Sequence, residues 1–284
     1  MTAVRETILT GDVQGTLLTP DSPVGLGVVV LGGSSGRVDV ARAGLLAGKG
    51  VVTLALRWFG GEDQVPGICE VPLETFVLAI DRLVQAGCDR IGLVGTSKGA
   101  EAALLTAVFD SRVDAVVAIS PSSVVWGNIG PGLDGAVWPQ RSSWTRSGVA
   151  LPFVASDPYW KPQYRDGLLS YRSLYQQSLE RFASEVEAAT IPVEAARADL
   201  ALVAGGDDAL WPSVMFAQSV VERLARAGRT ARLVVHPDAG HRILLPNETT
   251  PRSTLHAHGG AEAADRALGQ AAWGTMLGLF GLAG

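Results

Sequence analysis

The stretch from Arg90 to Leu105 constrains this chain most. Ile91-Gly92-Leu93-Val94 reads as a short apolar strand. It runs straight into Gly95-Thr96-Ser97-Lys98-Gly99, and Ala100-Glu101-Ala102-Ala103-Leu104-Leu105 follows as an apolar, alanine-rich helix. A strand that becomes a helix within so few residues needs a tight turn, and only glycine fits at positions 95 and 99. The turn holds Ser97 in a strained backbone conformation with its Oγ raised above the sheet edge. The helix starting there aims free N–H groups and a positive dipole end at the same point. The alternative is a plain strand–turn–helix carrying a surface serine.

The rest of the chain repeats the strand-then-helix pattern. Arg5–Leu9 and Gln14–Leu18 read as two short strands around Gly11-Asp12. Gly25–Leu31, Val51–Leu56, Arg90–Val94 and Val113–Ile119 read as strands, as do Asp199–Ala204 and Ala231–His236. Helical spacing covers Val38–Gly48, Val71–Ala86, Ser97–Phe109, Ser213–Ala227 and Ala261–Leu279. The strand runs are apolar on both faces and alternate with helices. That pattern predicts a mostly parallel sheet covered by helices on both faces, the α/β class.

The 284 residues fit one large domain with an insert. The insert covers about Pro121 to Arg197 and contains all four tyrosines and four of the seven tryptophans (Trp126, Trp138, Trp144, Trp160). Its first half is rich in Gly, Pro and Ser, and Leu168–Ala189 reads as helical. These rings suit an apolar substrate pocket or lid, or a small core of the insert's own.

Charge and cysteines limit the partners. A net charge of −5, with no Lys/Arg cluster, argues against nucleic-acid binding. Cys69 and Cys88 are too few for a disulfide framework, and a reducing cytoplasm is the simple expectation. Met1–Thr10 has no apolar core of a secretory leader, and no apolar run reaches membrane-spanning length. Ala271–Gly284 reads as a last helix packed on the sheet.

A serine hydroxyl is a poor nucleophile at neutral pH unless a histidine takes its proton and a carboxylate orients that histidine. In folds of the α/β-hydrolase type the chain order is Ser, acid, His, the last two on loops after later strands. All four histidines lie beyond residue 235. His241, in Pro237-Asp238-Ala239-Gly240-His241, follows a predicted strand and is the expected base. His236 lies at that strand's end and reads as structural. His256 and His258 read as surface or lid-contact residues. The acid belongs after Asp199–Ala204, where Gly205-Gly206-Asp207-Asp208 offers two aspartates. The usual spacing, three residues after the strand-end glycine, selects Asp208 and leaves Asp207 to face solvent or brace the turn. Glu101 and Asp114 sit in the wrong elements.

An oxyanion needs two fixed donors. The N–H of Lys98 is one candidate and that of Gly33, in Gly32-Gly33-Ser34, the other, with Ser34 next in line. The Lys98 side chain suits either a local carboxylate or a substrate phosphate. His241, His256 and His258 lack metal-site spacing, and Gly32–Gly36 lacks the ending of a phosphate loop. No metal or cofactor is expected.

Several longer motifs carry a resemblance. They are Leu45-Leu46-Ala47-Gly48-Lys49-Gly50, Trp58-Phe59-Gly60-Gly61-Glu62-Asp63 and Gly95-Thr96-Ser97-Lys98-Gly99-Ala100-Glu101. Gly206-Asp207-Asp208-Ala209-Leu210-Trp211-Pro212-Ser213 and Pro237-Asp238-Ala239-Gly240-His241 complete the set. Across roughly Gly25 to Phe280 the chain resembles the catalytic domain of the acyl-CoA thioesterase and bile acid-CoA:amino acid N-acyltransferase family. That family is an α/β-hydrolase branch near the dienelactone hydrolases. The resemblance implies a Ser97–Asp208–His241 triad acting on acyl thioesters of CoA. The family's vertebrate members carry an N-terminal β-sandwich domain, which is expected to be absent here. The N-acyltransferases carry cysteine where Ser97 stands, so serine favours hydrolysis. The expectation is a cytoplasmic serine hydrolase with a small acyl (thio)ester substrate, without nucleic-acid or membrane partners. Ester or lactone hydrolysis, acyl transfer and a silent binding protein are the rivals.

Overall fold

The computed structural model describes residues 3–282. Residues 1–2 of the Met1–Thr10 segment and residues 283–284 of the Ala271–Gly284 segment lie outside the described residues. Eight strands form the central sheet: β1 (Val4–Leu9), β2 (Gln14–Pro20), β3 (Leu26–Leu31), β4 (Val52–Arg57), β5 (Arg90–Thr96), β6 (Val113–Ile119), β7 (Asp199–Gly205) and β8 (Arg232–His236). Their spatial order is β1-β2-β4-β3-β5-β6-β7-β8. β1 and β2 are antiparallel, and so are β2 and β4. Every later pair is parallel.

Parallel neighbours need crossovers, and helices supply them. These are α1 (Val40–Ala47), α2 (Glu74–Gln85), α3 (Lys98–Phe109) and α6 (Ser213–Arg226), with α7 (Glu262–Phe280) closing the chain. Strand residues alternate between two cores. Val29 and Leu31 of β3 join Phe76, Ile80 and Leu83 of α2, most of α3, and Val220 and Leu224 of α6. Val28 and Val30 join Leu46 of α1 and Leu268, Ala272, Met276 and Phe280 of α7. Burial on both faces is why these strands read as unbroken apolar runs. Among the described residues, no helix is long and apolar enough to cross a membrane.

The insert between β6 and β7 departs from its predicted shape at one end. Leu168–Ser170 pairs antiparallel with Gln163–Arg165 instead of starting a helix. Asp166 and Gly167 both have positive φ, 51° and 77°. That is the tight hairpin turn an Asp-Gly pair favours. Helices α4 (Arg172–Arg181) and α5 (Ala183–Ala189) then follow. Likewise Val71-Pro72 pairs with Trp144 and Thr145, and α2 begins only at Glu74.

The insert's aromatic residues divide by burial. Trp126 and Trp144 are buried at 2% and 0% exposure. Trp126 packs against Tyr175 and Phe216, and Trp144 against Trp58 and Phe76. Trp138, Tyr159 and Tyr164 face solvent. Two of the four tryptophans are therefore core residues that seat the insert on the sheet.

Candidate active site

The turn after β5 has the geometry its glycines imply. Ser97 takes φ 57° and ψ −120°, a region costly for a residue with a Cβ. Its N–H donates to the Ile119 carbonyl of β6 at 2.8 Å, which fixes the turn against the neighbouring strand. A Cβ at Gly95 would overlap the Gly99 carbonyl, and one at Gly99 would overlap that of Gly32. Lys98 opens α3; the first N–H groups of a helix have no partner within it. Gly33 lies beside the turn. A Cβ built there would stand 3.3 Å from the Ser97 Cβ and 3.8 Å from its Oγ.

Asp208 and His241 come together from the ends of β7 and β8. His241 Nδ1 and Asp208 Oδ2 are 2.8 Å apart, with side-chain exposures of 8% and 0%. A carboxylate only accepts, so Nδ1 carries the proton and Nε2 remains an acceptor. The other carboxylate oxygen accepts the N–H groups of Leu210 (2.8 Å) and Trp211 (3.2 Å). Arg172 of α4 donates to the Asp208 carbonyl at 2.7 Å, so the insert itself braces the Asp208 loop.

The histidine loop is held at both sides. The His241 N–H donates to the His258 carbonyl at 2.8 Å, and Ser120 Oγ donates to the His241 carbonyl at 3.1 Å. Ser120 directly follows Ile119, the residue that binds the Ser97 N–H. Asp265 of α7, fully buried, accepts the Gly240 N–H at 2.8 Å.

Asp207 braces its turn: it pairs with Arg165 at 2.6 Å and accepts the Gly260 N–H at 2.9 Å. The Arg165 guanidinium holds its carboxyl below the usual range. His236 Nδ1 accepts the Asp238 N–H at 3.2 Å, a structural contact. His256 packs on Tyr171 of the insert, ring centres 5.4 Å apart.

His258, expected at the surface or against a lid, is half-buried beside His241. Its ring centre lies 6.0 Å from that of His241 and its Nδ1 is buried. Its carbonyl accepts from both His241 and Ala209. Burial and the nearby His241 push its pKa down to about 4, from a usual 6.5. The unfolded chain therefore takes up this proton first as pH falls. Stability from neutral His258 is full above pH 6.5 and drains away towards pH 4. His258→Asn should flatten that part of a stability–pH curve measured by urea unfolding. An unchanged curve would assign the loss to other groups.

The Lys98 side chain takes the local-carboxylate option, and sequence reasoning missed how much depends on it. Nζ lies 2.7 Å from Glu101 Oε2 and 2.9 Å from Ser143 Oγ, at 1% exposure. Glu101 Oε1 accepts from the Trp126 N–H (3.0 Å) and Trp144 Nε1 (2.7 Å). This buried pair ties the insert to the elbow helix. Asp114, the other carboxylate set aside as acid, accepts the Ile91 N–H at 2.8 Å.

Sheet order, elbow and loop placement together define an α/β-hydrolase. Solved structures agree on that fold. One is a dienelactone hydrolase-like promiscuous phosphotriesterase from metagenomic libraries, with TM-score 0.60, 16% identity and 99% of both chains covered. Another is a dienelactone hydrolase, described as putative, from Klebsiella pneumoniae, with TM-score 0.55, 16% identity and 99% of each chain covered. The family described as "BAAT / Acyl-CoA thioester hydrolase C terminal" matches residues 71–281, and the chain belongs to it. Human acyl-coenzyme A thioesterase 1 is 31% identical over 258 residues, covering 89% of this chain and 57% of that protein. Mouse acyl-coenzyme A amino acid N-acyltransferase 1 is 30% identical over 264 residues, covering 85% and 54%. The chain thus spans little more than half the length of these relatives.

Proposed function

We propose that the protein is a serine hydrolase that cleaves acyl thioesters, acyl-CoA foremost, through an acyl-serine intermediate. We read the whole chain as one catalytic domain with its insert at about 121–197. The observation that carries the reading is the 2.8 Å Asp208–His241 pair on the loops after β7 and β8, in a fold whose elbow presents Ser97.

Ser97 Oγ attacks the thioester carbonyl while His241 Nε2 takes the hydroxyl proton. Buried Asp208 keeps the imidazole in the right tautomer and stabilises the imidazolium. The carbonyl oxygen, now an alkoxide, accepts from the N–H groups of Gly33 and Lys98. Collapse of this intermediate breaks the C–S bond. A thiolate leaves without prior protonation, so acylation meets a lower barrier than with an amine leaving group; the departing CoA thiolate then takes the proton from His241, which returns to its neutral form. Water, deprotonated by His241, then attacks the acyl-Ser97 carbonyl. The carboxylic acid leaves as Ser97 regains its proton. No metal or cofactor enters these steps.

The family membership supports the thioester, and serine at position 97 supports water over an amine as final acceptor. The buried free thiols of Cys69 and Cys88 suit a reducing compartment such as the cytoplasm. The test is release of CoA thiol from short, medium and long acyl-CoAs beside a p-nitrophenyl ester series. Thioester turnover is expected, with a chain-length optimum. Ester turnover without CoA release would move the protein to the carboxylesterases. CoA release that requires an added amine would make it an acyltransferase.

A further inference from the structure

Arg42 on α1 is a buried cation outside the catalytic steps above. Its side chain is 6% exposed. Nη1 donates to Thr96 Oγ1 at 2.7 Å. Nε and Nη2 grip both oxygens of Glu248, at 2.8 and 2.7 Å. Nη2 also donates to the Ile243 carbonyl at 3.2 Å. Glu248 Oε2 accepts the Leu245 N–H at 2.8 Å, which closes its own loop. Burial opposes both charges, yet each partner holds the other ionised: Arg42 is shifted up and Glu248 down.

Thr96 directly precedes Ser97, and Ile243 lies two residues after His241. One planar guanidinium thus bridges the end of the nucleophile strand to the loop carrying the base. Apolar side chains of similar volume would fill this space at lower desolvation cost. A rigid fork does what they cannot: it sets the separation of two segments that are 147 residues apart in the chain.

We propose that Arg42 is a positioning residue that fixes the distance and angle between the Ser97 turn and the His241 loop, with Glu248 locking its fork. This rests on the reading of Ser97 and His241 as nucleophile and base. Misplacing a reacting group by about 1 Å costs on the order of 100-fold in rate. Lysine keeps the charge but has no planar fork, so Arg42→Lys is not conservative here.

The experiment measures the rate of fluorophosphonate labelling at Ser97 per folded molecule, with kcat and KM on a p-nitrophenyl ester. Arg42→Lys is expected to lower labelling and kcat by roughly 30- to 100-fold, and Thr96→Val by about tenfold, with KM nearly unchanged. Thr190→Val is the control. It removes the 2.7 Å bond from Thr190 Oγ1 to the Val186 carbonyl on α5, an element that holds none of the fork's partners. It should lower the urea midpoint and leave the labelling rate intact. If Arg42→Lys fails to fold, Thr96→Val carries the test. Wild-type rates in both variants, or an equal loss in Thr190→Val, would overturn the proposal and leave the serine reading standing. A wild type that is not labelled at Ser97 would overturn both.

Discussion

Ser97→Ala should lower kcat for thioester hydrolysis by about 10,000-fold to a million-fold while the urea midpoint holds or rises. Serine triads act as a unit, and removing the nucleophile leaves only the donors and substrate binding. KM should change little, because Oγ makes its bond only on the way to the transition state. The fold has little to lose, since Ser97 is held through its backbone N–H and the turn stays closed by Gly95 and Gly99. Alanine has a Cβ as serine does, so the strain at φ 57° is neither relieved nor increased. Asp208→Asn should cost about 10,000-fold, because an amide can hold the histidine in the wrong tautomer. A loss under tenfold in Ser97→Ala would mean that another group or water performs the first attack.

The second large effect concerns stability. Lys98→Met should destabilise the protein by about 3–5 kcal/mol, the usual result of stranding one member of a buried ion pair. Lys98 and Glu101 are 1% and 0% exposed, so water cannot screen the charge left behind. The damage spreads, because Glu101 also holds the Trp126 N–H and Trp144 Nε1, and Lys98 holds Ser143. Adding Glu101→Gln to Lys98→Met removes the stranded charge and keeps an amide oxygen for the tryptophan donors. The double variant should therefore be more stable than Lys98→Met alone, a coupling of at least about 1 kcal/mol in a double-mutant cycle. Additive losses would mean that the two side chains do not depend on each other.

Residues that act through local geometry were legible in the sequence. The turn after β5 needs glycine at fixed offsets, so the backbone placement of Ser97 could be read directly. The meeting of Asp208 and His241 followed from the distance of one to Gly205 and from the strand before the other. The central strands were legible because burial on both faces leaves an unbroken apolar run. What stayed hidden depends on folding partners far away in the chain. Arg42 looks like any surface arginine until Glu248 and Thr96 meet it. Glu101 was considered only as a misplaced acid, although it organises the insert. The role of the His258 carbonyl, which binds the His241 N–H, stayed hidden because nothing nearby in sequence shows it. The Leu168–Ser170 strand was hidden by the helical α4 that follows, although Asp166-Gly167 carried its turn signal.

Passage of the acyl group through Ser97 can be caught in a single turnover: the protein is mixed with an acyl-CoA that it turns over, the reaction is quenched in acid during the first turnover, and the acyl mass is mapped on peptides. One acyl group on Ser97 is expected, formed together with free CoA thiol and absent in Ser97→Ala. CoA release at the wild-type rate in Ser97→Ala, or an acyl group on any other residue, would contradict passage through Ser97.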